Sequence, residues 1–116
     1  MVTRLFGFSG KVDLVPQAIV NRSVRELSVD LGVELEHASD DLDQFECAYF
    51  NVDGKVAAFI HYAGEPDDQV TVYVQRELGS KDVTKTLNKL LKAFALPRDA
   101  VVWRETEDLR RDRVTG

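Results

Sequence analysis

What the chain lacks narrows it first. There is one cysteine, Cys47, in 116 residues. An intramolecular disulfide and a multi-cysteine zinc site are therefore excluded, and a lone thiol suits a reducing, cytoplasmic compartment. Long apolar runs are missing as well. The longest strictly apolar stretch is Val56-Ala57-Ala58-Phe59-Ile60, far short of the roughly 20 residues a membrane-spanning helix needs. The opening Met1-Val2-Thr3-Arg4-Leu5-Phe6-Gly7-Phe8 has no continuous apolar core and no small-residue cleavage pattern, so export by a standard signal is not expected. The phosphate-cradling and nucleophile-elbow glycine motifs are absent, and the seven glycines sit singly.

What is present describes an ordinary folded domain. Hydrophobic residues make up 44% and charged residues 30%, close to the globular average and away from disorder. The length suits one compact domain. The expected division is a single α+β domain over residues 1–104 and a charged, frayed tail over 105–116.

Periodicity places the elements. Val2 to Phe8 reads as a strand, and Ser9-Gly10-Lys11 as a turn. Asp13 is a candidate helix cap, with Pro16 tolerated in the first turn. Val20, Val24, Leu27 and Leu31 recur at helical spacing, and Gly32 is a natural left-handed stop. Val33, Leu35 and His37 alternate with Glu34 and Glu36 as a short strand. Phe45 to Val52 and Val56 to Ala63 read as two strands joined by Asp53-Gly54, a turn in which both positions need positive φ. Val70, Val72 and Val74 alternate with Thr71, Tyr73 and Gln75. Val83, Leu87, Leu90, Leu91 and Phe94 form one face of a helix capped at Ser80 or Asp82 and closed by Leu96-Pro97. Ala100 to Arg104, around Trp103, is a last strand. The predicted order is β-α-β-β-β-β-α-β, a mostly antiparallel sheet of five to six strands with two helices on one face. Val56, Ala58, Ile60 and Tyr62 point away from Ala57 and Phe59, so the sheet has a second apolar face.

Charge is distributed unevenly. The formal net charge is -5 and the isoelectric point is near 5.0, which argues against nucleic acid as a partner. Between Arg25 and Lys55 there is no Lys or Arg, and that interval holds nine of the 20 acids. The remaining 11 acids face 15 bases, so a -9 block lies in a frame of +4. Lys81, Lys85, Lys89 and Lys92 share one helix face opposite the leucines. Like charges at that spacing are mildly unfavourable, so either acids from elsewhere compensate them or the face is solvated; a basic docking surface is the alternative.

Candidate chemistry is thin. Asp40, Asp41, Asp43 and Glu46 fail the calcium-loop pattern, because Glu46 stands at the sixth position and Val52 at the twelfth when counting from Asp41. Glu65, Asp67 and Asp68 flank Pro66 in a turn where acids are common for backbone reasons. His37, His61 and Cys47 are the only imidazoles and thiol. Through the Asp53-Gly54 turn, Cys47 is expected opposite Ile60 and His61 opposite Glu46, a cross-strand contact that needs no catalysis. No metal site and no cofactor is expected.

The leading expectation is a non-catalytic, acidic binding module that docks a basic protein partner. Glu34, Glu36, Asp40, Asp41, Asp43 and Glu46 would supply the charge, and Phe45, Tyr49 and Tyr62 the apolar anchors. In size, acidity and lack of active-site motifs the chain resembles the immunity proteins that neutralise bacterial toxins, with no residue carried over. The alternatives are a homodimeric structural or regulatory domain pairing through the second sheet face, a small-ligand module, and a small enzyme using His61 with nearby carboxylates.

Overall fold

The computed structural model describes residues 2–7, 13–39, 43–76 and 80–104, with only the backbone at 80–82 and 104. Its elements are β1 (Val2–Leu5), β2 (Leu14–Val20), α1 (Val24–Leu31), β3 (Glu36–Ser39), β4 (Gln44–Val52), β5 (Lys55–Tyr62), β6 (Val70–Gln75), α2 (Ser80–Ala93), a 3-10 turn (Arg98–Ala100) and β7 (Val101–Arg104). The seven strands form one antiparallel sheet in the order β1-β4-β5-β6-β2-β7, with β3 also on β4. The α+β class and the two helices on one face match the pattern read from the sequence. No helix among the described residues is long and apolar enough to cross a membrane.

One element differs from expectation. Residues 14–20 are a strand, where the apolar spacing predicted the start of a helix. The run Leu14-Val15-Pro16-Gln17-Ala18-Ile19-Val20 is rich in branched side chains that pack well on a pleated surface. Its proline would argue against an inner strand, since it cannot donate to the ladder. Pro16 is accommodated because, among the described residues, β7 pairs only with residues 18–20, so the proline stretch meets no described strand on that side. The register against β6 also slips between Pro16 and Ala18, which is how an irregular residue is absorbed in a ladder.

The true start of α1 is Ser23. Its side chain accepts from the Glu26 N–H at 3.0 Å while the Glu26 carboxylate accepts from the Ser23 N–H at 3.1 Å. This reciprocal box satisfies two orphan donors of the first turn. Gly32 ends the helix at φ 68°, and the Val33 N–H closes onto the Leu27 carbonyl at 2.9 Å. The short strand expected from Val33 begins instead at Glu36.

The β4–β5 hairpin follows its turn chemistry. Asp53 and Gly54 adopt φ of 51° and 89°, and the Asn51 side chain accepts from the Gly54 N–H at 2.9 Å. The resulting register puts Cys47 opposite Ile60 and Glu46 opposite His61. Alternation then sorts the side chains between two faces. Ala48, Phe50, Val52, Ala57 and Phe59 join Leu27, Val83, Leu87, Leu90 and Leu91 in the main core. Phe94 closes it, its ring 5.1 Å from Phe50 and 5.8 Å from Phe59 in edge-on contact, a geometry favourable by about 0.5–1.5 kcal/mol per pair beyond burial. Past α2 the chain turns through Ala95 at φ 53°, and the Leu96 N–H bonds the Leu91 carbonyl at 2.9 Å.

Candidate functional site

The face of the sheet turned away from the helices carries its own apolar cluster. Cys47, Ala58 and Ile60 are buried at its centre, and Leu14, Phe45, Tyr49, Tyr62 and Tyr73 pack over them. Among the described residues, neither helix contributes to this cluster. Ala58 is fully buried, so the aromatic side chains act as its roof. Phe45 and Tyr62 stand directly opposite each other, with ring centroids 5.2 Å apart. All three expected anchors, Phe45, Tyr49 and Tyr62, are thus brought to one surface. Tyr73 was already legible from the alternation in β6. Leu14 was not, because its segment reads as helix.

Carboxylates border this surface and leave a trace on its acidities. Burial, then the neighbouring Cys47, push the Tyr49 phenol up to about 12, and Glu36 adds to the shift. Burial followed by Tyr62 and Glu65 raises Tyr73. The Cys47 thiol is raised by burial and by Glu36, so the reactive thiolate is disfavoured. Cys47 and His61 stand on opposite faces by the parity of their strands. They are not brought together as a nucleophile and base.

The expected carboxylates are dispersed. Glu36 lies on the aromatic side at the start of β3 and accepts from the Gly7 N–H at 3.1 Å. Glu34 is exposed, its carbonyl held by the Arg4 guanidinium at 2.5 Å. Arg4 itself stacks over the Phe6 and Phe50 rings at 4.7 and 5.4 Å. Asp43 is exposed just before β4 and accepts from the Gln44 N–H at 2.8 Å. Asp40 and Asp41 lie outside the described residues, as do Ser9-Gly10-Lys11 and the tail over 105–116. Glu65 serves its own loop, accepting from the Tyr62 N–H at 2.8 Å.

Glu46 stands apart from the anchors, on the opposite face, between His37 of β3 and His61 of β5. The expected His61–Glu46 register holds. His61 is only 8% exposed, and its Nε2 lies 3.0 Å from the Pro66 carbonyl. A carbonyl only accepts, so Nε2 carries a proton and donates it to Pro66. His37, Glu46, His61 and Asp67 line an open pocket of about 550 Å³ at this end of the sheet. Among the described residues no three His, Cys, Asp or Glu side chains converge to hold a metal ion.

Among the described residues, the lysine face of α2 meets the acidic segment where Lys89 pairs with Asp53 at the hairpin tip. Hydrogen bonding to Lys89 lowers the Asp53 carboxyl to about 2. Lys85 and Lys92 are exposed, and the side chain of Lys81 lies outside the described residues. No family model, curated protein or solved structure matches the chain. The class is therefore defined by the fold alone: an antiparallel α+β sheet with both helices on one side and an aromatic cluster on the other.

Proposed function

We propose that this chain is a non-catalytic binding module that docks a basic protein partner on the helix-free face of its sheet. One observation carries the reading: Phe45, Tyr49, Tyr62 and Tyr73 are gathered with Leu14 on one face, with Glu36 and Glu65 close enough to raise the phenols. Partly exposed aromatic side chains bordered by charge are a usual anatomy of a docking surface, with the rings as anchors and the rim steering the approach. The sign of the rim selects a cationic partner, and the chain's net charge of -5 acts in the same direction. A small acidic inhibitor of the immunity type, covering the basic cleft of a toxin, fits this description.

The test compares baits from the source organism's lysate: wild type, Tyr62→Ala and the Glu36→Gln/Asp43→Asn pair. The expected result is a basic protein retained by wild type, released by moderate salt and lost from both variants. Capture that is equal across the baits, or no salt-sensitive capture at all, overturns the reading. A second copy of the chain is the competing occupant of this face. A dimer in light scattering that Tyr62→Ala dissociates would assign the face to self-association instead.

A further inference from the structure

We infer that one row of side chains across the helix-free face seats an extended basic segment of the partner, with cationic side chains four residues apart received by Glu36 and Glu65. This rests on the docking reading for the face and on strand register for the spacing. Glu36 of β3 stands opposite Cys47 of β4, Cys47 opposite Ile60 of β5, and Ile60 opposite Thr71 of β6. These side chains form a single line across four strands. Tyr49, Ala58 and Tyr73 make a parallel line on one side of it, and Phe45 and Tyr62 stand together on the other. Cys47, Ile60 and Thr71 are buried, while the flanking rings are partly exposed. The result is a largely apolar seam between two aromatic ridges. A carboxylate stands at each end. Glu36 accepts from the Gly7 N–H at 3.1 Å. Glu65 accepts from the Tyr62 N–H at 2.8 Å and from the Thr71 hydroxyl at 3.4 Å, which holds it at the β6 end. Both charges are felt on this face, Glu36 by Cys47 and Tyr49, and Glu65 by Tyr73.

These features select the occupant. Both carboxylates are partly buried and are held by neutral donors. Neither forms an ion pair among the described residues. A neutral donor fixes a carboxylate in place but leaves its charge, and a partly buried charge is best met by a cation. Arg4 does not serve the seam. It stands opposite Phe50 on the core side, stacks on that ring and donates to the Glu34 carbonyl. The exposed rings between the two ends suit the aliphatic stems and charged heads of basic side chains. Distance sets the spacing. Three interstrand steps of about 4.7–4.9 Å separate Glu36 from Thr71, roughly 14 Å in all. Two carboxylates that far apart cannot share a metal ion, whose oxygen ligands lie within about 2.6 Å of it. An extended segment advances about 3.3–3.4 Å per residue, so side chains four residues apart lie on one side and span roughly 13–14 Å. A helix covers only about 6 Å in four residues and would leave one carboxylate unmet.

The spacing can be tested without the partner. The acetylated and amidated peptide Lys-Ser-Val-Ser-Lys is titrated into the full chain and followed by amide chemical shifts. Saturable shifts are expected at Glu36, Cys47, Tyr62 and Thr71, with a Kd on the order of millimolar. The same residues reordered as Lys-Ser-Lys-Ser-Val should bind about threefold more weakly, the loss of one exposed ion pair. Glutamine in place of both lysines should abolish saturation. Glu36→Gln and Glu65→Gln each keep an acceptor for the backbone N–H that the carboxylate holds, so the fold is retained. Each should weaken the first peptide about threefold and erase its advantage over the reordered one. Glu46→Gln, on the opposite face, should change neither titration. No saturable shift, equal binding of the two peptides, or a loss in Glu46→Gln as large as in Glu65→Gln overturns the inference. Shifts along this row that grow with protein concentration alone would give it to a second copy and overturn it as well. Spacing-selective binding in a protein whose lysate captures ignore Tyr62 would keep the seat and sink the docking reading. Tyr62-dependent capture beside a titration blind to spacing would do the opposite.

Discussion

At the residue scale, the sites most open to test are those where the local environment works against the side chain's ordinary preference. Ala95 holds a left-handed φ of 53° at the end of α2, a conformation costing an L-residue roughly 1–2 kcal/mol and glycine nothing steric. Ala95→Gly should stabilise the fold by about 0.5–1 kcal/mol, after the extra chain entropy of glycine is subtracted, and thermal unfolding will show it as a higher Tm. Tyr49 is the complementary case. Its proton is held more tightly folded than unfolded, with a pKa of about 12 against an ordinary phenol near 10. The stabilisation this represents is whole below pH 10 and is lost as pH rises toward 12. Chemical denaturation across that window should show stability falling more steeply in wild type than in Tyr49→Phe. Parallel slopes would mean the phenol is no more confined folded than unfolded. Both sites depend on details that no residue announces alone: a left-handed alanine has no sequence mark, and the Tyr49 shift comes from strands that meet only on folding.

At the element scale, local chemistry decided what was readable. The Asp53-Gly54 turn needs positive φ twice, so it fixed the β4–β5 register and with it the Cys47–Ile60 and Glu46–His61 pairs. The apolar face of α2, from Val83 to Leu91, was legible for the same reason, since its period matches one element only. Val20, Val24, Leu27 and Leu31 misled because their spacing runs across a strand, a turn and a helix. Ser23 and Glu26, three apart, are the signal that separates them, and the reciprocal bonds of this box define where α1 begins. Ser23→Ala should cost about 1 kcal/mol, lowering Tm by about 4 °C in a domain of this size. Ser23→Gly should cost only a few tenths. A helix this short, with Leu27 as its one fully buried residue, has little else to hold its first turn. No turn motif of the Asp53-Gly54 kind announces the pairing of β3 with β4 in the sequence, so only half of the His37–Glu46–His61 row could be read in advance.

At the scale of the whole molecule, the charge division seen along the chain becomes partly an internal contact. The acidic segment 26–53 ends at the hairpin tip, and there Asp53 meets Lys89 of the basic helix face. Of its other described carboxylates, Glu36 lies on the aromatic side and Glu46 on the opposite side, where it lines the pocket. The segment is continuous in sequence but not one patch in space. A further consequence lies in how β4 is flanked. Its outer side is occupied by two four-residue strands placed end to end, β1 against Tyr49–Val52 and β3 against Gln44–Cys47. Arg4 and Glu36 stitch the two together. A nine-residue strand left bare would be a template for another chain's backbone. Here it is overlaid like a plank covered by two short tiles, and the opposite border of the sheet ends in β7, again only four residues long. Among the described residues, neither margin offers a long run for a foreign strand to extend. Association with another macromolecule is thereby steered to side chains on the broad surfaces, where a single substitution can grade it, and away from backbone zippering, which sequence changes control poorly.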